Sequence, residues 1–518
     1  MNAESRSLRR RLTATVVAFV TVALVITGCR SAVEVAAPDP SATPVSGGTV
    51  NVMLALDAQP SKMWTTRGGN VPWVGNVIEP LVRKIPGTTE TNGVLATEWT
   101  ISDDAKSIDV TLREGVKFHT GKELTAADVQ FTFETAKDPV NAAQFGYVAN
   151  DIKSIDIEDD YHFTVTFNNP TGNVLDFFEG TPIVDSETWA GYLDGSQVNG
   201  TGPYIWEEWV PGATLSLVRN DDYWDDPAYI ERIEYSVISD GTAQVSALRS
   251  GAAQLGGLQN SDAVTFEGGG FTLGGNVQAV YTFGMNITLP PFDNKDVRQA
   301  IGYAIDRERI NDQVIGGLGT PGTLWWSPDE PGFDPELNEA YTYDPELAKK
   351  MIKDAGAEGA EFQIMLLANP LWQSTYDILQ RNLEDVGLKP SAITLAAPEF
   401  DAAQASGNMG PGFVQIWTTS LSAASLMGAL PPLRPGNPSQ FNTDEYNDLR
   451  SDLVSATNPE DSAAAVEALS ELMLEEAFTQ PILQAPALVV TSDEVQGMEW
   501  TNRNVYLFHD AYLPALAD

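Results

Sequence analysis

A chain of 518 residues that is 43% hydrophobic, 19% charged and 9% aromatic can build a large globular body of two or three lobes, and its composition excludes disorder and fibrous repeats. The formal charge is −41; residues 1–28 hold four arginines and one glutamate, so the remainder carries 26 basic and 70 acidic residues, a formal −44. That field repels a phosphate backbone and no basic stripe offsets it, so nucleic-acid binding is excluded.

Arg6, Arg9, Arg10 and Arg11 form a basic leader ahead of Thr13 to Ile26, an uncharged and mostly apolar run of 14 residues. The run is short for a membrane span and suited to a signal peptide over 1–28. It ends Ile26-Thr27-Gly28-Cys29, which resembles a bacterial lipobox, and Cys29 is the single cysteine of the chain. Disulfides are therefore excluded, and the expected role of Cys29 is lipid attachment. Arg9-Arg10-Arg11-Leu12 also resembles, weakly, a twin-arginine signal. From Arg30 to Gly48 the chain is rich in Ala, Pro, Ser, Thr and Val without period, so 29–46 reads as a lipidated cysteine and flexible tether.

Beyond the tether, Thr49 to Leu54 reads as a first strand, and Ile108, Val110 and Leu112 alternate as a second. Thr125 with Asp128 predicts a helix N-terminus, with Val129, Phe133 and Ala136 on one face; Phe163, Val165 and Phe167 alternate again. Helical spacing is strong at Val297, Ala300, Ile301, Ala304 and Ile305. Asp344-Pro345 and Asn458-Pro459 are helix starts, and Gly356 and Gly387 are stops. The body is α/β.

Four ordered blocks carry a resemblance. They are Leu95 to Trp99 with Leu112 to His119 and Leu124 to Val129; Gly200 to Tyr204 with Arg219 to Trp224; Pro291 to Asp293 with Val297 to Ile301 and Ala304 to Arg307; and Tyr343 to Ala348. Together they resemble the solute-binding protein family 5, which includes dipeptide- and oligopeptide-binding proteins. The resemblance implies a periplasmic-binding-protein type II (cluster C) fold, two lobes and three domains around a hinged cleft. Domain I would be discontinuous (47–82, 195–275 and 478–518), domain II would span 83–194 and domain III 276–477. It further implies a monomeric, extracytoplasmic binding lipoprotein of an ABC importer, without enzymatic activity or cofactor, that delivers a peptide or peptide-like solute to permease subunits with cytoplasmic ATPases.

In peptide-binding members a Trp-x-x-Asp motif clamps the ligand's α-amino group. Here Gln415-Ile416-Trp417 leads to Ser420 where the aspartate would stand, and a hydroxyl cannot supply a charge-assisted bond to an ammonium. Trp417, Ser420 and Gln415 are thus the expected ligand contacts, with Trp64, Trp325 and Trp372 as further candidates among the 12 tryptophans. Trp73 and Trp326 lie in similar segments. Most of these rings are expected in the core, because tryptophan is usually buried. Asp57 and Glu79 are the carboxylates that would replace a lost clamp. A neutral oligosaccharide on the same fold is the alternative solute.

Gly317 to Gly322 fits GxGxxG, but Pro321 and Pro328 place it in a loop. Asp221 to Asp226 lacks the glycine and distal glutamate of a calcium loop, and His119, His162 and His509 are widely spaced, so no metal site is expected. A secreted hydrolase is the distant rival; no G-x-S-x-G or H-E-x-x-H occurs.

Overall fold

The computed structural model describes residues 44–514 except 66, 67, 87, 89, 276, 277, 419, 420, 502 and 504. The leader, Cys29 and Ser420 lie outside the described residues. Val45, in the segment read as tether, already pairs with Leu513 in an isolated bridge.

Three sheets organise the body. The first has seven strands in the order Phe271–Gly274, Val489–Ser492, Leu255–Gly257, Thr49–Leu54, Arg232–Val237, Thr214–Arg219, Tyr204–Val210. Thr49–Leu54 is parallel to both its neighbours. It is buried from Val52 to Leu54, as expected of a strand inside a sheet covered on both faces. The second sheet is antiparallel, ordered Ala96–Ile101, Ser107–Leu112, His162–Phe167, Ile152–Ile157. Its alternating residues behave as predicted: Ile108, Val110 and Leu112 are buried while Asp109 is exposed. Against it packs the helix Ala126–Ala136, whose buried face is Val129, Thr132, Phe133 and Ala136. The Asp128 carboxylate accepts from the Thr125 N–H at 3.2 Å, as the capping box requires, and pairs with Lys122.

The third sheet is ordered Thr320–Pro321, Thr479–Pro486, Gln278–Met285, Gly412–Thr418, Glu361–Leu367, Lys389–Leu395. Helices Lys295–Ala304, Pro345–Asp354 and Pro370–Asp385 cover it, burying Ile301, Ile352 and Leu379 in one apolar cluster. Their starts are chemically determined. Asn294, Asp344 and Asn369 each accept a backbone N–H of the first turn, and Asn458 does the same for Pro459–Glu476. Among the described residues no helix is long and apolar enough to cross a membrane.

The sequence blocks hold these sheets together. His119 sits between two backbone groups: Gly200 N–H donates to its Nδ1 at 3.3 Å, and its Nε2 faces the Gly202 carbonyl at 3.0 Å. Burial depresses the ring to about 4, so it stays neutral with the proton on Nε2.

Candidate functional site

The site is built around the short helix Val174–Gly180. On its first turn the Asp176 carboxylate accepts from the Ser422 N–H at 3.2 Å, from the Ser422 hydroxyl at 2.5 Å and from the Ser425 hydroxyl. Beside it Asn173 donates to Ser425 Oγ at 3.0 Å and to the Tyr147 hydroxyl at 2.9 Å. Ser422 opens the helix Ala423–Ala429, and the Ala423 N–H donates to Glu330 at 3.1 Å. Gly172 N–H reaches the Val454 carbonyl at 2.7 Å. At Gly428 a Cβ would lie 2.5 Å from the Tyr147 ring, so only glycine lets these two surfaces meet. Residues 145–180 and 422–454 are thereby drawn into one seam.

One helical turn beyond Asp176 lies Glu179, at the i+3 position where side chains share a face. It borders a cavity of about 60 Å³, together with Trp64, Asn70, Arg83, Thr501 and Arg503. Glu179 is 9% exposed, and its Oε1 has no hydrogen-bond partner among the described residues. Burial pushes its carboxyl up to about 7, against the opposing pull of the Arg503 and Arg83 guanidiniums. Desolvation likewise pushes the half-buried Glu330 up to about 7, against the bond it accepts from Ala423 N–H. Arg503 is 8% exposed, donates to Gln144 Oε1 and stacks on Phe145 with 5.3 Å to the ring centroid. A larger cavity of about 610 Å³, lined by Glu79, Lys84, Tyr223 and Trp500, shares Gly75, Arg83 and Thr501 with the small one.

The predicted contact residues separate into two groups. Trp417, Trp64 and Trp325 fall in one apolar cluster, and Trp64 also lines the small cavity. Trp64 donates its Nε1–H to the Pro182 carbonyl at 2.9 Å and stacks on Trp189 at 5.3 Å. Trp417 pairs in register with Val280, is 9% exposed, and has an Nε1–H without a partner among the described residues. The same holds for Trp325 Nε1 and for Trp73, whose ring meets Trp206 edge-on at 4.8 Å. Trp326 is fully committed, donating to Ser470 Oγ at 2.7 Å. Gln415 is buried, with its Nε2 on Met409 Sδ at 3.0 Å and its Oε1 without a partner among the described residues. Trp372 lies elsewhere, edge-on to Phe400 at 5.2 Å in a cluster with Met409 and Phe413.

Neither substitute carboxylate is available to a ligand ammonium. Asp57 accepts from Ala58 N–H, Trp209 Nε1–H and Gly212 N–H at 2.8, 3.0 and 2.7 Å. Glu79 accepts from the Thr201, Tyr223 and Trp224 side chains. Arg83, Glu179 and Arg503 escaped the sequence reading. The one signal for them was Glu179 itself, an acid set directly after Phe177-Phe178 in an apolar helix. Among the described residues no group of three or more His, Asp or Glu side chains is arranged to hold a metal ion.

Comparison with known proteins gives this geometry a context. The family described as bacterial extracellular solute-binding proteins, family 5 Middle, matches residues 90–431. Heme-binding protein A of Haemophilus influenzae is 27% identical over 474 residues, covering 81% of this chain and 84% of that protein. Two solved structures share the fold. CtaP, an ABC transporter substrate-binding protein of Listeria monocytogenes, has a TM-score of 0.80 at 20% identity, over 90% of this chain and 99% of that one. The Helicobacter pylori periplasmic binding protein DppA, solved with the peptide STSA, has a TM-score of 0.76 at 21% identity, over 91% and 99%. The fold is that of the type II periplasmic binding proteins.

Proposed function

This chain belongs to the bacterial extracellular solute-binding proteins of family 5, and from that premise we propose that it captures a peptide or peptide-like solute at the seam beside Glu179 and delivers it to an ABC permease. The observation that carries the reading is the small cavity bordered by Glu179, Arg83 and Arg503, one helical turn from the contacts of Asp176 with Ser422 and Ser425. Residues 47–82, 195–275 and 478–518 would form domain I, 83–194 domain II and 276–477 domain III, with the seam closing over the solute. A closed form of this kind is what a permease can read, because a ligand touching both sides biases the open–closed equilibrium. The protein acts by binding, without chemistry on its solute. A neutral oligosaccharide remains the second solute class, supported by the tryptophan cluster.

Mass spectrometry of solute co-purified with the full-length protein tests the reading: a retained, unmodified small molecule is expected, and turnover of that molecule to product by pure protein would overturn it. Trp417→Ala should weaken binding of that solute by about 1–3 kcal/mol, the usual cost of losing a central aromatic contact. Calorimetry on wild type and variant measures it; an unchanged affinity would return Trp417 to the core.

The tether belongs to the same proposal. Cys29, after a basic and apolar leader, would be acylated and hold the body at the outer face of the membrane. Cells fed a palmitate analogue should label the wild type, whereas Cys29→Ser should lose the label and shed protein to the medium. Equal labelling of both would refute the anchor.

A further inference from the structure

Two groups of exposed apolar side chains stand at opposite ends of the strand Thr49–Leu54. Ahead of it lie Val45, 47% exposed, and Tyr229, 37% exposed. Tyr229 shares that end because its strand, Arg232–Val237, runs parallel to Thr49–Leu54 with Arg232 opposite Thr49. The contacts are explicit. Gly47 N–H donates to the Tyr229 carbonyl at 2.7 Å, Val45 pairs with Leu513, and the Tyr229 and Tyr512 rings meet edge-on at 6.3 Å. Beyond the other end stand Leu56, Leu193 and Val210, 58%, 50% and 44% exposed. There Asp57 accepts from Trp209 Nε1–H and Gly212 N–H. A Cβ at Gly195 would lie 2.4 Å from the Trp209 ring, so the segments carrying Leu193 and Val210 come together. A six-residue strand is about 20 Å long, and the two groups are separate surfaces.

What distinguishes the first group is the chain that leads into it. Residues 30–44, fifteen in number, separate Val45 from Cys29. Fully extended they reach about 50 Å, so an acylated Cys29 keeps this end of the sheet within reach of the bilayer. A surface tethered in this way meets its partner at a raised effective concentration, and a contact too weak to act between free molecules becomes effective. Tyrosine suits that partner, because its apolar ring and polar hydroxyl sit together at the level of the headgroups. The rim carries no surplus of cations: Arg219 donates to Ser46 Oγ at 2.9 Å and pairs with Asp221, and Glu231 is exposed beside them. Such a rim, in a chain of formal charge −41, does not attract an anionic surface.

We propose that Val45, Tyr229, Tyr512 and Leu513 form a membrane-facing surface that rests on zwitterionic phospholipid headgroups, with Leu56, Leu193 and Val210 turned away from the bilayer. The proposal rests on the anchor reading and goes beyond it: a tether limits distance, whereas this contact sets orientation. The strand Thr49–Leu54 then runs outward from the membrane.

A dye at each end of the strand tests this on the full-length, acylated protein. Acylation occupies Cys29 and the chain has no other cysteine, so Tyr229→Cys or Leu193→Cys supplies a single thiol for a nitrobenzoxadiazole dye. Each variant is reconstituted in dioleoylphosphatidylcholine vesicles, with and without a headgroup spin-labelled lipid that quenches the dye on contact. At least twofold quenching is expected at position 229 and none at position 193. Adding Tyr512→Ser to the Tyr229→Cys variant should at least halve that quenching, with circular dichroism confirming the fold. Equal quenching at the two positions, or none at 229 in protein that floats with the vesicles, overturns the proposal and leaves the anchor standing. A dye at 229 shielded from iodide yet not quenched by the lipid would mean that residues 30–44 cover this surface, and overturns it too. Protein that does not float with the vesicles removes the anchor reading and this proposal together.

Discussion

Replacing Arg307 by methionine is expected to destabilise the protein by about 3–5 kcal/mol, the range for removing one member of a buried charged network. The guanidinium is buried and has no acid beside it among the described residues. Its Nη1 donates to the Gly302 and Tyr341 carbonyls, both at 2.9 Å. Its Nε serves the Pro481 carbonyl at 3.1 Å and that of Gly322 at 3.3 Å, and its Nη2 reaches Gln480 Oε1 at 3.4 Å. One side chain thus joins the helix Lys295–Ala304, the strand Thr479–Pro486 and two loops. Burial lowers its pKa only to about 10, so it is charged throughout the physiological range. Methionine keeps the apolar stem and strands four carbonyls, each worth about 1–3 kcal/mol when left unpaired. Guanidinium denaturation measures the loss; a change below about 1 kcal/mol would mean that water replaces the guanidinium.

The second large effect is expected at Glu79, where alanine should cost about 3–5 kcal/mol. Glu79 Oε2 accepts from Thr201 Oγ1 and Trp224 Nε1, both at 2.8 Å, and Oε1 accepts from the Tyr223 hydroxyl at 2.6 Å. Burial raises its carboxyl, and these three donors oppose that rise by bonding to the ionised form. Alanine leaves the buried Thr201 hydroxyl and the half-buried Tyr223 and Trp224 donors without this partner, and frees Trp224, on whose ring Arg113 rests at 4.5 Å. Glu79→Gln should cost less, because one oxygen still accepts. The ranking of the two variants by thermal denaturation checks the argument; equal losses would point to charge rather than to acceptor geometry.

These two residues also explain what was legible in the sequence. Thr201, Tyr223 and Trp224 belong to the second block and converge on Glu79, while Arg307 closes the third and His119 belongs to the first. Each does a scaffold task that tolerates few other side chains, so each leaves a fixed local pattern. The helix starts at Asp344 and Asn458 were readable for the same reason, since capping is a contact within one turn. The cavity was not readable. Arg83, Glu179 and Arg503 come from three distant segments, and each supplies one charge that no local period demands. Burial of a tryptophan was predictable as a class, but its address was not: nothing near Trp372 in the chain tells that it packs on Phe400 rather than beside Trp417.

The chain crosses between the seven-stranded and the six-stranded sheets in two places, between Gly274 and Gln278 and between Pro486 and Val489. The crossings are neighbours, because Gly274 pairs with Val489 on one side and Gln278 with Pro486 on the other. Bending or twisting between the two sheets at this point breaks no ladder bond within either sheet. Under the proposed capture at the seam, opening would be set by side chains such as Asp176, Ser422 and Ser425 rather than by the backbone, and a solute would govern the motion with a handful of contacts.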